Sequence, residues 1–349
     1  MAQILVTGGA GFIGSHVADG LLARGHEVVI LDDLSGGFRE NLPAGADFVA
    51  GSITDHELVN RLFTKHAFEY VYHLAAYAAE GLSHFIKRYN YTNNLIGSVN
   101  LINAAVNAGT VRCFVFASSI AVYGSGQTPM REDMTPEPED PYGIAKYAVE
   151  LDLREARALF GLEHLIFRLH NVYGERQNIG DPYRNVIGIF MNQILQGRPM
   201  TLFGDGAQTR AFTYIGDVAP ALAAAIEKPA AFNRVYNVGS DEPQSVRALA
   251  DRVAAAMGIP PRVESLAERR EAVHAFADHA AFRAAFGADR PMTPLAEGLA
   301  KMAAWVRRHG ARQGRPFAAI EVARNLPPAW VPGCGGIGVS ECGGVGVSE

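Results

Sequence analysis

The chain is predicted to be an α/β protein, a doubly wound parallel sheet with a smaller C-terminal lobe. Three observations predict it. Short apolar runs alternate with helix-length stretches from the first residues to about 170. A glycine-rich turn, Thr7-Gly8-Gly9-Ala10-Gly11-Phe12-Ile13-Gly14, joins the first run to the first such stretch. After Asn171 the alternation loosens into loops and isolated helices. With 349 residues, 48% of them hydrophobic, the chain can bury two lobes sharing one cleft.

In order, strands are expected over 3–6, 27–31, 47–50, 70–74, 112–117 and 165–169. Helices are expected over 12–24, 55–65, 91–108 and 142–160. A polar loop over 174–185 leads to a helix over 186–196 and a strand-and-turn at Arg198-Pro-Met-Thr-Leu-Phe-Gly-Asp-Gly. A helix over 217–227 and a strand over 234–238 return to the main sheet, and helices over 245–257 and 295–309 complete the lobe. The expected division is a Rossmann-type domain over 1–170, rejoined by about 211–240, and a substrate lobe over 171–210 and 241–330. Residues 331–349 hold an eight-residue glycine-rich unit twice, read as a flexible tail.

A net charge of −5 gives no basic face for nucleic acid, so an anionic ligand must be met by local arginines and helix N-termini. Cys113, Cys334 and Cys342 are too few and too scattered for a disulfide framework or a zinc site. Cys113 reads as core, while a metal or redox role for the two tail cysteines stays open. No apolar run is long enough to span a bilayer. Gln3-Ile4-Leu5-Val6 runs straight into the glycine turn with no signal segment before it, so the cytosol is the expected location.

Gly8, Gly11 and Gly14 follow Gly-x-x-Gly-x-x-Gly between strand and helix. This spacing allows a tight turn, a close pyrophosphate and close helix packing. Asp32 ends the second strand and suits the adenosine ribose hydroxyls. Asp32 and Asp33 would both repel a 2′-phosphate, so NAD is expected over NADP, with Arg39 the nearby cation acting the other way. Asp33 reads equally well as a turn cap.

Tyr142 and Lys146 stand one helical turn apart on one face, downstream of Ser119. A free phenol titrates near 10. A lysine beside it favours the phenolate, so Tyr142 is the expected general base, Lys146 its tuner and Ser119 the group that orients the reacting hydroxyl.

The chain resembles the extended short-chain dehydrogenases/reductases, and more closely the NAD-dependent nucleotide-sugar epimerase/dehydratase family. Beyond the motifs above, the resemblance rests on Asp32 to Gly36, His73-Leu-Ala-Ala76, Ser118-Ser119 with Val122-Tyr-Gly124, Arg168-Leu-His-Asn171-Val-Tyr-Gly174 and Phe203-Gly-Asp-Gly-Ala-Gln-Thr-Arg210. It covers about residues 3–330.

The resemblance implies cofactor contacts at Gly8, Gly11, Phe12, Ile13, Gly14, Asp32, Asp33, Leu34, Ser35 and Gly36. It adds Ser52 and Ile53 at the adenine, although the family usually has Asp where Ser52 stands. Leu74, Ala75 and Ala76 would line the cofactor, with Asn93 and Ser118 near the nicotinamide ribose and Tyr142 and Lys146 beyond. It implies substrate contacts at Ser119, Tyr142, Asn171 and Arg210. A second phosphate arginine would be Arg269 or Arg270; spacing does not choose between them. Ala211 replaces the acid that usually follows Arg210, so some loss of rigidity is expected there.

His73 and His170 read as satisfied buried histidines, and no cluster has metal-ligand spacing. The resemblance further implies that Ile120 and Ala121 stand where dehydratases carry Asp-Glu, which disfavours dehydration. It leaves epimerisation of a UDP-hexose at C4 through a 4-keto intermediate. A 4-ketoreductase or dehydrogenase with net NAD(H) turnover is the alternative, and a non-catalytic NAD(H)-sensing protein a more distant one. A homodimer through the helices over 91–108 and 142–160 is also implied.

Overall fold

The computed structural model describes residues 1–268, 272–287, 292–314 and 316–330. The first half runs β1 (Gln3–Thr7), α1 (Phe12–Ala23), β2 (Glu27–Asp32), β3 (Asp47–Ala50), α2 (His56–Lys65) and β4 (Tyr70–His73). It continues with two short helices, α3 (Glu80–Ser83) and α4 (Lys87–Tyr91), then α5 (Gly97–Ala108), β5 (Cys113–Ser119), α6 (Pro141–Phe160) and β6 (His164–Leu169). The second half runs β7 (Val172–Tyr173), α7 (Val186–Leu195), β8 (Met200–Phe203), β9 (Thr209–Ala211), β10 (Thr213–Tyr214), α8 (Ile215–Ala223), β11 (Arg234–Val238), β12 (Pro243–Ser245), α9 (Val246–Ala256), β13 (Val263–Leu266), β14 (His274–Ala275), α10 (Ala280–Phe286) and α11 (Leu295–His309).

Seven strands form one parallel sheet in the order β11-β6-β5-β4-β1-β2-β3. Alternate side chains supply its two covered faces, as the period of two requires. Ile4 and Val6 pack with Val17 and Leu21 of α1 and Val218 and Leu222 of α8. Leu5, between them, packs with Val59 of α2, Leu101 of α5 and Val149 and Leu153 of α6. The strand order reverses between β1 and β4, which opens a crevice at their carboxyl ends.

The helix that holds Tyr142 and Lys146 starts and stops on local signals. Asp140 caps α6 by accepting the Gly143 N–H at 2.9 Å, Pro141 occupies its first turn, and Gly161 ends it at φ +76°. The helix expected over 91–108 begins earlier, at Lys87, and passes through a π turn at Thr92–Ile96. The helix expected over 217–227 is α8 with Pro220 inside it, followed by a separate 3₁₀ turn at Ala225–Glu227.

The lobe has its own core, with Phe190, Leu202, Leu249, Val253, Met302 and Val306 fully buried. Its sheets are small, β12-β9-β14 and β13-β8. The paired strands β7 and β10, together with β12, β13, β14 and α10, were not expected from sequence. Cys113 is buried in the main core. The repeat read as a flexible tail, with Cys334 and Cys342, lies outside the described residues.

Candidate active site

The glycine turn crosses the crevice where β1 ends. Gly8 has φ +73°, and a Cβ on it would stand 2.7 Å from the Ala75 nitrogen of the loop after β4. A Cβ on Gly14 would stand 2.1 Å from the Gly8 carbonyl oxygen. The turn thus holds α1 and the loop at Leu74, Ala75 and Ala76 closer than any side chain allows. Gly11 caps α1 with no side-chain bond, which leaves its first-turn N–H groups, Phe12 and Ile13 among them, to an incoming anion. These features fit a dinucleotide pyrophosphate.

Asp32 is buried, and its carboxylate accepts the N–H groups of Ala10 at 3.0 Å and Leu34 at 2.8 Å. Burial raises its pKa, and these two bonds oppose the rise. Asp33 is exposed and caps its own turn, accepting the Ser35 N–H at 2.9 Å; Gly36 follows at the crevice edge. Arg39 lies 5.2 Å over the Phe48 ring.

Further along the crevice, the Ser52 hydroxyl pairs with Thr54 at 2.9 Å, and Ile53 packs against Gly97. Asn93 spends its amide on the Tyr89 carbonyl at 2.9 Å. Its neighbour Asn94 is the buried one. It bonds the Tyr77 N–H and carbonyl and also Asn90, pinning the loop after β4. Sequence reading passed over Asn94; the helix face toward the loop would have distinguished it.

The expected proton-transfer residues converge where β5 meets α6. The Ser119 hydroxyl acts on the Tyr142 phenol and accepts the Ala121 N–H at 3.1 Å. Lys146 donates to the Ala117 carbonyl at 2.7 Å, with its ammonium 5.8 Å from the Tyr142 ring centre. Both titrating groups are buried, and burial dominates both. It pushes the phenol up, against the Ser119 bond and with Glu80 and Asp140 adding to the rise. It pulls Lys146 down to about 7, against the attraction of Glu150. In the chain itself, desolvation dominates the Tyr142 phenol, and the expected lowering by Lys146 is not among the effects that act on it.

Behind this pair lies a buried ion pair. Glu150 takes two bonds from Arg168, at 3.0 and 2.6 Å, and one from the Ser118 hydroxyl at 2.5 Å. Alternation along β5 explains the split: Ser119 faces Tyr142, while Ser118 faces Glu150 and has its hydroxyl engaged there. Glu80 and Arg184 were also missed by sequence. Glu80 opens a short helix, and its charge acts on Tyr142 and Asp140. Arg184, paired with Asp181 at 2.7 Å, lies 5.0 Å over the Tyr77 ring and borders Gly36. No motif announces either residue; distant segments place them.

On the lobe side, Asn171 donates to the Ala211 carbonyl at 3.2 Å. Arg210 donates to the carbonyls of Thr209 at 2.8 Å, Val273 at 3.2 Å and Ala272 at 2.6 Å. Three backbone carbonyls thus engage the Arg210 guanidinium, where Ala211 offers no acid. Arg269 and Arg270 lie outside the described residues. His73 is satisfied on both nitrogens, by Thr7 and Ser98 at 2.8 Å each. His170 bonds the Ala275 carbonyl at 3.1 Å, stacks on His279 and leaves Nδ1 without a partner. The described residues hold no group of three potential metal ligands.

Comparison with known proteins agrees with this geometry. The profile of the NAD dependent epimerase/dehydratase family matches residues 4–239. A UDP-glucose 4-epimerase of Mycolicibacterium smegmatis is 37% identical over 87% of this chain and 98% of its own. The structure of a UDP-glucose 4-epimerase from Thermotoga maritima with UDP-glucose superposes with a TM-score of 0.83 at 36% identity, covering 88% of this chain and 99% of its own. A UDP-glucose 4-epimerase from Thermus thermophilus in complex with NAD superposes with a TM-score of 0.81 at 36% identity, covering 87% and 99%.

Proposed function

The chain belongs to the NAD dependent epimerase/dehydratase family, and from that premise we propose that it interconverts the C4 epimers of a UDP-hexose. One observation carries this reading: the Ser119–Tyr142–Lys146 group stands at the crevice of the glycine turn. The chemistry that NAD supplies when bound is reversible hydride acceptance from the sugar carbon. Gly8, Gly11, Gly14 and Asp32 would hold it.

The remaining work falls to the chain's own residues. Ser119 orients the 4-hydroxyl. Tyr142 takes its proton and later returns it to the 4-keto sugar. Burial favours the protonated phenol, the form that returns a proton. Giving that proton up requires positive potential, which Lys146 supplies when charged. Arg210 and Asn171 tether the diphosphate while the ketosugar turns over, with charge-assisted bonds from the guanidinium. Neither Ile120 nor Ala121 can act as acid or base, in keeping with a cycle without dehydration.

We further propose that residues 1–170 with 211–240 form the cofactor domain and the rest to 330 the substrate lobe. A cytosolic homodimer through α5 and α6 is part of the same reading; Ile96 and Ile144 there are 51% and 42% exposed. No helix among the described residues is long and apolar enough to cross a membrane.

The test is NMR of the purified protein with UDP-hexoses and no added cofactor. Appearance of the 4-epimer without build-up of NADH absorbance is expected. Turnover that starts only when NAD or NADH is added would make it a dehydrogenase or ketoreductase.

A further inference from the structure

We propose that the segment after α11 builds a wall of the substrate cleft, and that Trp330 is the side chain there that meets the bound nucleotide sugar. This rests on the reading of the cleft as a UDP-hexose site.

The path of the segment carries the argument. It leaves the lobe at Arg312, whose carbonyl accepts the amides of Asn192 at 2.9 Å and Gln196 at 3.0 Å, both at the end of α7. It then crosses to the cofactor domain. The Phe317 N–H donates to the Tyr183 hydroxyl at 2.9 Å, and its ring packs on Tyr89 and Tyr77 at 4.8 and 5.5 Å. The Glu321 carboxylate accepts the N–H groups of Arg88 and Tyr89 at 2.7 and 2.9 Å, and its own N–H bonds the Phe85 carbonyl at 2.8 Å. The segment is thus fastened on both sides of the cleft.

Its last described residue, Trp330, is buried between the same two sides. On one side, a Cβ on Gly81 would stand 3.2 Å from the tip of the indole. Gly81 sits between Glu80, whose charge acts on Tyr142, and Ser83, whose hydroxyl accepts the Tyr142 N–H at 3.2 Å. On the other side are the rings of Tyr183 at 5.3 Å and Phe203 at 6.4 Å. Phe203 ends β8 and opens the turn that leads to Arg210. Trp330 therefore stands between the proton-transfer residues and the segment expected to hold the diphosphate. A large aromatic face there suits the C–H face of a pyranose or a flat base.

The chain has two tryptophans, Trp305 on α11 and Trp330, which gives a direct test. In full-length NAD-loaded protein carrying Trp305→Phe, emission from Trp330 is followed during titration with UDP-glucose and with UDP, beside calorimetry on the same samples. Emission should change in step with the binding heat. In the Trp330→Phe protein, emission from Trp305 should stay constant. Trp330→Ala should raise KM about tenfold, more than it lowers kcat, with Trp330→Phe recovering most of the loss. Glu321→Gln, which loosens the segment from α4, should raise KM in the same direction. Binding heat with unchanged Trp330 emission, or an unchanged KM in Trp330→Ala, would overturn this inference alone. No binding heat from the wild type would overturn the functional reading and this inference with it.

Discussion

The parallel sheet is one continuous seven-stranded layer with a large buried cluster on each face. The lobe's sheets are small, two strands in β13-β8 and three in β12-β9-β14, beside a single buried cluster. The two regions also treat charge differently. Beneath the active site, Arg168 and Glu150 are 4% and 3% exposed and doubly bonded. In the lobe, the Lys301–Glu297 pair on α11 is 44% and 55% exposed. Arg210 there is half-buried and bonds backbone carbonyls from two segments. A buried, paired charge is costly to break, whereas an exposed one is screened. Substitutions in the sheet half should therefore cost more, in rate or stability, than those in the lobe.

The sharpest contrast is catalytic. Tyr142→Phe should lower kcat about 10³-fold, the scale of general acid–base catalysis, and leave calorimetric binding of UDP-glucose intact. Arg210→Lys keeps the charge but loses the planar fork, so it should raise KM about tenfold and change kcat less. Equal losses of kcat in the two variants would erase the contrast.

Next comes stability. Glu150→Gln leaves Arg168 without its buried partner and should cost about 3–5 kcal/mol in denaturant unfolding. Glu297→Gln, on the exposed pair of α11, should cost far less. A large loss in the second would show that the lobe depends on its charges as much as the sheet does.

The last contrast is in the pH dependence of stability, measured on cofactor-free protein. Burial with Glu80 nearby raises Asp140 to about 7, so the folded state keeps a proton that the unfolded state has already lost. Stability should fall as pH rises from the ordinary aspartate value, about 3.9, toward 7. Asp140→Asn keeps a cap and should flatten that fall. Lys146, lowered to about 7, has the opposite sign: the unfolded state binds the extra proton above 7, so stability should rise toward the ordinary lysine value, about 10.4. Lys146→Met should flatten that rise. Slopes of the reverse sign would reject the burial argument for either residue.

The glycine turn, Asp32 and the Tyr142–Lys146 spacing were legible because each is a local requirement of a βαβ unit or a single helix face. Asn94 was not, because two neighbouring asparagines look alike until the loop after β4 selects one. That the Ser118 hydroxyl turns to Glu150 shows only in the alternation of β5. Glu80, Arg184 and Trp330 carry no motif; each reaches the cleft from a segment whose position depends on packing elsewhere.

By itself the sequence determined the parallel sheet, the glycine-turn crevice and the candidate proton-transfer trio, since period, turn and i,i+4 spacing act over a few residues. Only the tertiary structure decided which charges are buried and how the lobe closes over them. Desolvation and long-range pairing depend on what else arrives at the same place, and no stretch of the chain records that alone.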